Sequence, residues 1–206
     1  QDDGFGKAGL LGVTNALAKR NLKLAVAAGY ERNTDKVDDA VKKIKASDAQ
    51  AIIMVSVNKS TAAFMKQYRE SGGGAQLYNI SVVDPAELVK LAGLKNAHGL
   101  GISQVVPYPF MANLPVVREY QALLKKYAPK EQVNYTSFEE FVGAKVLVEA
   151  LRRAGPNPTR AKVVKALESM GSFDTGGITV GFSPSNRVGS RYVEVTVIGS
   201  TGKLLK

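Results

Sequence analysis

The residues that first invite a chemical reading are three glycines near the start of the chain. Gly4, Gly6 and Gly9 in "GFGKAG" spell G-x-G-x-x-G, the spacing with which a loop cradles a pyrophosphate at a helix N-terminus. That chemistry needs a strand before the glycines, a helix after them and an acidic residue some twenty positions on. Leu10, Val13 and Leu17 supply the helix and Glu31 the acid. Only Gln1, Asp2 and Asp3 stand where the strand should be, and two carboxylates there would repel a phosphate. The glycines read better as a tight helix entry with close backbone approach. Gly72–Gly74 are followed by no Lys-Ser/Thr pair and form no P-loop.

Other reactive constellations thin out in the same way. There are no cysteines, which removes thiol nucleophiles, disulfides and thiolate metal sites. The one histidine, His98, sits in a turn-like "KNAHGLG", so a His-rich metal site or a catalytic triad has little to stand on. Asp38–Asp39 and Glu139–Glu140 are sequence neighbours, which point about 100° apart on a helix and do not converge. The chain therefore reads as no enzyme, with no cofactor and no metal. The net charge of +10 raises nucleic acid as a partner. The basic residues are spread over several segments, however, and no aromatic platform interleaves with them, so nucleic acid is not expected.

The elements that must position any site alternate. Apolar, β-rich runs at 22–28, 51–56, 76–81 and 100–106 are separated by amphipathic stretches. Val37, Ala40, Val41 and Ile44 form one helical stripe. "VDPAEL" places Asp84 as N-cap, Pro85 at N1 and Glu87 at N3 of another helix. This order predicts an α/β fold, a three-layer parallel sheet with crossover helices, in which four strands are parallel. Past Pro107 the pattern changes to helices at 115–127, 135–154 and 159–170. A β hairpin follows, then a strand at 192–198 that should return to the sheet. With 206 residues and 45% hydrophobic content, one domain or two small ones can be built. No apolar run is long enough to span a membrane. A chain opening at Gln1 with no signal sequence reads as processed, or as cut from a longer one.

In order along the chain, several stretches are similar to the type I periplasmic solute-binding proteins, the leucine/isoleucine/valine-binding receptors of ABC importers. They are "QDDGFGKAG", "YERNTDKVDDAVKKIKASDAQAIIMVS", "FMKQYRESGGGAQLYNISVV", "GLGISQVVPYP", "SFEEFVGAKVLVEALRRAG" and "FDTGGITVGFSPSNRVGSRYVEVTVI". The resemblance implies two α/β lobes joined by crossovers, with a small solute held between them. It implies that residues 1–115, joined by 190–206, form one ligand-binding lobe. Residues 116–189 would then be helices and a hairpin of the partner lobe, most of which is missing.

Ligands of open α/β sheets meet the carboxyl ends of the strands. The candidate ligand contacts are thus Phe5 as an apolar wall, with Ser56, Asn58, Ser81 and Gln104 as hydrogen-bonding groups. Ser56 and Ser81 have a second use open to them, as caps of the helices that follow. Glu139 and Phe138 resemble positions facing the cleft from the other lobe, although Phe138 also suits a helix core. Amino-acid-binding members commonly carry an acid near the end of the third strand, where "NISVVD" offers Ser81. The chain departs from that pattern here; the solute implied by the resemblance as a whole is an amino acid or an aromatic or carboxylic acid. The implied partner is a membrane permease, and the implied location periplasmic or extracellular. Helices 134–170, deprived of their lobe, should expose an apolar stripe that favours a homodimer or segment exchange. The readings kept beside this one are a Rossmann-type nucleotide-binding enzyme fragment and the sensory ligand-binding domain of a receptor.

Overall fold

The computed structural model describes residues 1–206, which divide into two compact units. Unit 1 is 1–104 with 195–206, and unit 2 is 105–194.

In unit 1 the helix α1 (Gly4–Ala18) is followed by α2 (Asp38–Lys45), β1 (Ala51–Met54), α3 (Asn58–Glu70) and β2 (Gln76–Ile80). Next come α4 (Pro85–Ala92), α5 (Leu94–Ala97) and β3 (Gly101–Gln104). β1, β2 and β3 pair in parallel, with Ile52 beside Leu77 and Asn79 beside Ile102. Consecutive parallel strands in this order send their right-handed crossovers to one face. There Ile52, Met54, Leu77 and Ile102 meet Met65, Leu88 and Ala97 in the core. Burial alternates along β1 and β2 as a pleated strand requires, which leaves Ile53 and Tyr78 on the opposite, exposed face. The α4 cap is as the sequence predicts: Glu87 N donates to the Asp84 carboxylate at 2.9 Å, with Pro85 in the first turn.

The strand expected at 22–28 does not form. Its residues make no ladder hydrogen bonds and none of them is buried. A strand exists through its partner, and this run is tied outside the sheet at both ends. Leu22 N is bonded to Leu17 O of α1, and Tyr30 O to Asp2 N. α1 also buries no residue. The helix layer is therefore complete on one face of the sheet, and three of the four expected parallel strands are present.

Unit 2 contains α6 (Pro115–Tyr127), α7 (Tyr135–Ala154), α8 (Arg160–Glu168) and the hairpin β4 (Gly171–Asp174)–β5 (Thr179–Phe182). Its buried side chains include Val117, Tyr120, Phe138, Val142 and Ala166. Asn134 caps α7 by accepting from Ser137 N at 2.8 Å, and Thr159 caps α8 by accepting from Lys162 N at 3.3 Å. β6 (Glu194–Ile198) returns to the sheet beside β3, with Ile198 N bonded to Leu100 O, and β7 (Leu204–Leu205) closes it antiparallel.

Candidate ligand-binding site

The carboxyl ends of β1, β2 and β3 carry a polar residue each, and the three are used differently. At the end of β1, the Ser56 hydroxyl lies 2.8 Å from the Tyr30 hydroxyl and donates to Ser60 Oγ at 3.0 Å. Ser60 Oγ in turn donates to Tyr30 Oη at 2.8 Å, which closes a triangle of hydroxyls. The first turn of α3 brings Ser60 under Ser56, and Tyr30 reaches them from the end of the 22–28 run. Asn79 on β2 locks the neighbouring backbone: its amide donates to Ser56 O at 3.2 Å and to Thr61 Oγ1 at 2.7 Å. Asn58 accepts from Asp84 N at 2.8 Å, so it pins the start of α4 to the start of α3.

Gln104 ends β3 and is 1% exposed. Its amide donates to Thr196 Oγ1 of β6 at 3.0 Å, while Oε1 is buried with no partner in the chain. Ser81, just after β2, is 9% exposed, and its hydroxyl has no internal partner but stays in reach of solvent, unlike Gln104 Oε1. It is flanked by Val82, 43% exposed, and the corresponding residue after β1 is Val57, 42% exposed. The lip of the sheet thus presents valines outward, while Ser56, Asn58 and Gln104 point their polar atoms into the fold.

Phe5 stands half-buried in the first turn of α1. Asp3 fills that helix start: its carboxylate accepts from Phe5 N at 3.0 Å and Gly6 N at 3.1 Å. The Gly6 backbone bond, with Gln1's side chain next in weight, holds the Asp3 carboxyl below the usual range. The donors that a phosphate would need are spent on Asp3, which disfavours the dinucleotide reading on geometry. The glycines instead allow close approach: a Cβ at Gly9 would lie 2.3 Å from a Val55 methyl. The other charges near the strand ends are paired, Arg32 with Asp3 at 3.7 Å and Lys59 with Asp35 at 3.1 Å.

Five of the six candidates therefore belong to unit 1, and Glu139 lies on α7 of unit 2, half-buried. Phe138 beside it is fully buried, against Tyr120, and is helix core. The sequence reading missed Ser60, Asn79, Thr61 and Thr196. The spacing of Ser56 and Ser60, four residues apart across a helix start, is a local signal that could have found the first. The others meet partners far along the chain, Asn79 with Thr61 of α3 and Thr196 with Gln104 of β3.

The model of the family described as "Periplasmic binding protein" matches residues 1–203. The chain is 40% identical, with a TM-score of 0.88, to a substrate-binding periplasmic protein from Ralstonia solanacearum, covering 100% of this chain and 59% of that one. It is 30% identical, with a TM-score of 0.83, to an extracellular ligand-binding receptor from Verminephrobacter eiseniae, again covering 100% and 59%. A branched-chain amino acid ABC transporter protein from Thermus thermophilus with bound valine shares the fold at 19% identity and a TM-score of 0.76, covering 100% and 57%. A search of curated proteins finds none that matches. The chain spans about three fifths of the length of these relatives. Over nearly its whole length it belongs to the periplasmic binding protein family.

Proposed function

We propose that the chain is the larger part of a periplasmic solute receptor, which binds a small organic solute between two lobes and delivers it to an ABC permease. The observation that carries this reading is the Ser81 hydroxyl. It belongs to a largely buried residue, has no internal partner and stays in reach of solvent at the carboxyl end of a parallel strand, near the exposed Val57 and Val82. Ligand pockets combine apolar walls with a few unspent polar groups in this way. Family membership and the substrate-binding relatives support it.

In this reading Ser81 and Phe5 touch the solute and the two valines supply apolar walls. Ser56, Asn58 and Gln104 hold the strand ends in place. The solute is an amino acid or an aromatic or carboxylic acid, and the valine carried by the Thermus thermophilus relative is in keeping with that size. The reading is tested by calorimetry with a panel of such solutes on a protein of the relatives' full length. Saturable binding that Ser81→Ala weakens about ten-fold supports it, corresponding to one hydrogen bond of roughly 1.4 kcal/mol. Binding of no solute, or binding indifferent to Ser81, overturns it.

A further inference from the structure

The groups left unpaired at the strand ends of unit 1 are donors, and they converge on the start of α3. Its N-cap position is Val57, whose side chain cannot cap, and no acidic residue stands in its first turn. The first turn of a helix leaves its N–H groups without intrahelical partners. In α3 the N–H groups of Asn58, Lys59 and Ser60 meet no acceptor in the chain, and the first one bonded is Thr61 N, to Val57 O at 2.9 Å. The starts of α1 and α4 are filled instead by the carboxylates of Asp3 and Asp84.

Ser81 brings an unpaired hydroxyl to the same place. It is 9% exposed, and residues on both sides of it are bonded to the first turn of α3. Asn79 donates to Thr61 Oγ1 at 2.7 Å, and Asp84 N donates to Asn58 Oδ1 at 2.8 Å. Carrying the β1–β2 register two residues past Met54 and Asn79 sets Ser81 opposite Ser56, just before the helix. Lys59, 71% exposed, adds a positive charge to this turn while paired with Asp35 at 3.1 Å.

Acceptors are scarce there. Asp3, Asp35 and Asp84 are each held by an internal donor. The hydroxyls of Tyr30, Ser56 and Ser60 bond to one another, and Gln104 Oε1 is sealed within the fold. Glu31 stands exposed outside that triangle. An ammonium group entering here would lose water and gain no acceptor in exchange. A carboxylate would meet free N–H groups, a hydroxyl and the positive end of a helix dipole.

We propose that the start of α3, with Ser81 beside it, binds the carboxylate of the solute, and that the solute is an aliphatic or aromatic carboxylic acid without an amino group. This inference rests on the proposed function and narrows its solute class.

Two matched sets of probes test it. Isovalerate, valine and isobutylamine share one side chain and differ only in their charged groups, as do phenylpropanoate, phenylalanine and phenethylamine. In calorimetry on a protein of the relatives' full length, the acid of one set should bind at least about ten-fold tighter than its amino acid, and its amine should not bind. In an amide-resonance titration of the present chain, the same acid should shift the N–H signals of Asn58, Lys59 and Ser60. Asn58→Asp keeps an acceptor for Asp84 N but sets a negative charge at the helix start, and it should weaken the acid about ten-fold or more. An amino acid or amine that binds tighter than its acid, and loses affinity on Ser81→Ala, overturns this inference and leaves the proposed function standing. Acid binding that neither shifts those N–H signals nor responds to Asn58→Asp overturns it likewise. Binding of none of the six probes overturns both.

Discussion

Tyr30, Ser56 and Ser60 show how hydroxyls at a strand end are used up. Each hydroxyl has two partners within the triangle, so their protons are committed and none is left to donate to a solute. Tyr30→Phe removes one corner and leaves the buried Ser56 and Ser60 hydroxyls with each other and, for Ser60, Val57 O at 3.3 Å. It should lower stability by about 1–2 kcal/mol in a denaturant titration, whereas Ser81→Ala, which breaks no internal bond, should stay within about 0.5 kcal/mol. Gln104 offers the opposite case. Thr196→Val strips the buried Gln104 amide of its only partner and should cost about 2 kcal/mol. Gln104→Met removes the unpaired Oε1 along with the amide and should cost less than about 1 kcal/mol. Equal losses for the two would mean that Oε1 has a donor in solution. The sequence marks Ser56, Asn58 and Gln104 as polar groups at strand ends, but their partners Tyr30, Asp84 and Thr196 lie 26 to 92 residues away. No local pattern reveals which of them are already satisfied.

Among the elements, α7 carries the clearest electrostatic device. Glu149 is buried on it and receives Arg152 at 2.9 Å through both Nε and Nη2, and Arg153 Nε at 2.6 Å. Arg153 also donates to Met170 O at 3.0 Å, just beyond α8. The Arg152 hydrogen bonds first, and those of Arg153 next, bring the Glu149 carboxyl down from an ordinary value of 4.5 to about 2. A carboxyl depressed by folding means that the unfolded chain takes up the proton first as pH falls. The stabilisation is present in full above the unfolded value and is lost progressively between pH 4.5 and about pH 2. Glu149→Gln should flatten the stability profile of unit 2 in that window, as followed by acid titration of helical circular dichroism. A variant as acid-sensitive as the parent would show that other groups set the slope. Element starts were legible where the signal is local: Asp84, Pro85 and Glu87 declare the α4 cap within four residues. The run 22–28 was misread as a strand because composition says what a strand is made of but not whether an edge is there to receive it.

For the molecule as a whole, the exposed face of α7 matters most. Leu147 and Val148 are 51% and 64% exposed, while Phe138 and Val142 of the same helix are buried. The chain spans 59% of the length of its Ralstonia solanacearum relative, and on the proposed function the rest of a lobe packs on this face. Leu147→Lys with Val148→Lys should change the stability of this chain by less than about 0.5 kcal/mol. In a protein of the relatives' full length the same pair should cost several kcal/mol, on the order of 2 or more for each apolar side chain buried. Solute binding should scale likewise. Calorimetry should give about micromolar affinity for the full-length protein and about millimolar for this chain, since one lobe buries half the contacts. Equal affinities would place the site within this chain alone.

By itself the amino-acid sequence determined the α/β class, the order of its elements and its family resemblance. It also determined the helix cap at Asp84 and the mismatch of the opening glycines with a nucleotide loop. These follow from composition, periodicity and hydrogen bonds that reach only a few residues. Tertiary structure alone decided which strand ends keep an unspent polar group, that β1 stands as an open edge, and that 22–28 lies beside the sheet instead of in it. Those outcomes depend on pairing between segments far apart in the chain, where a ladder or a hydroxyl triangle forms only if both partners arrive.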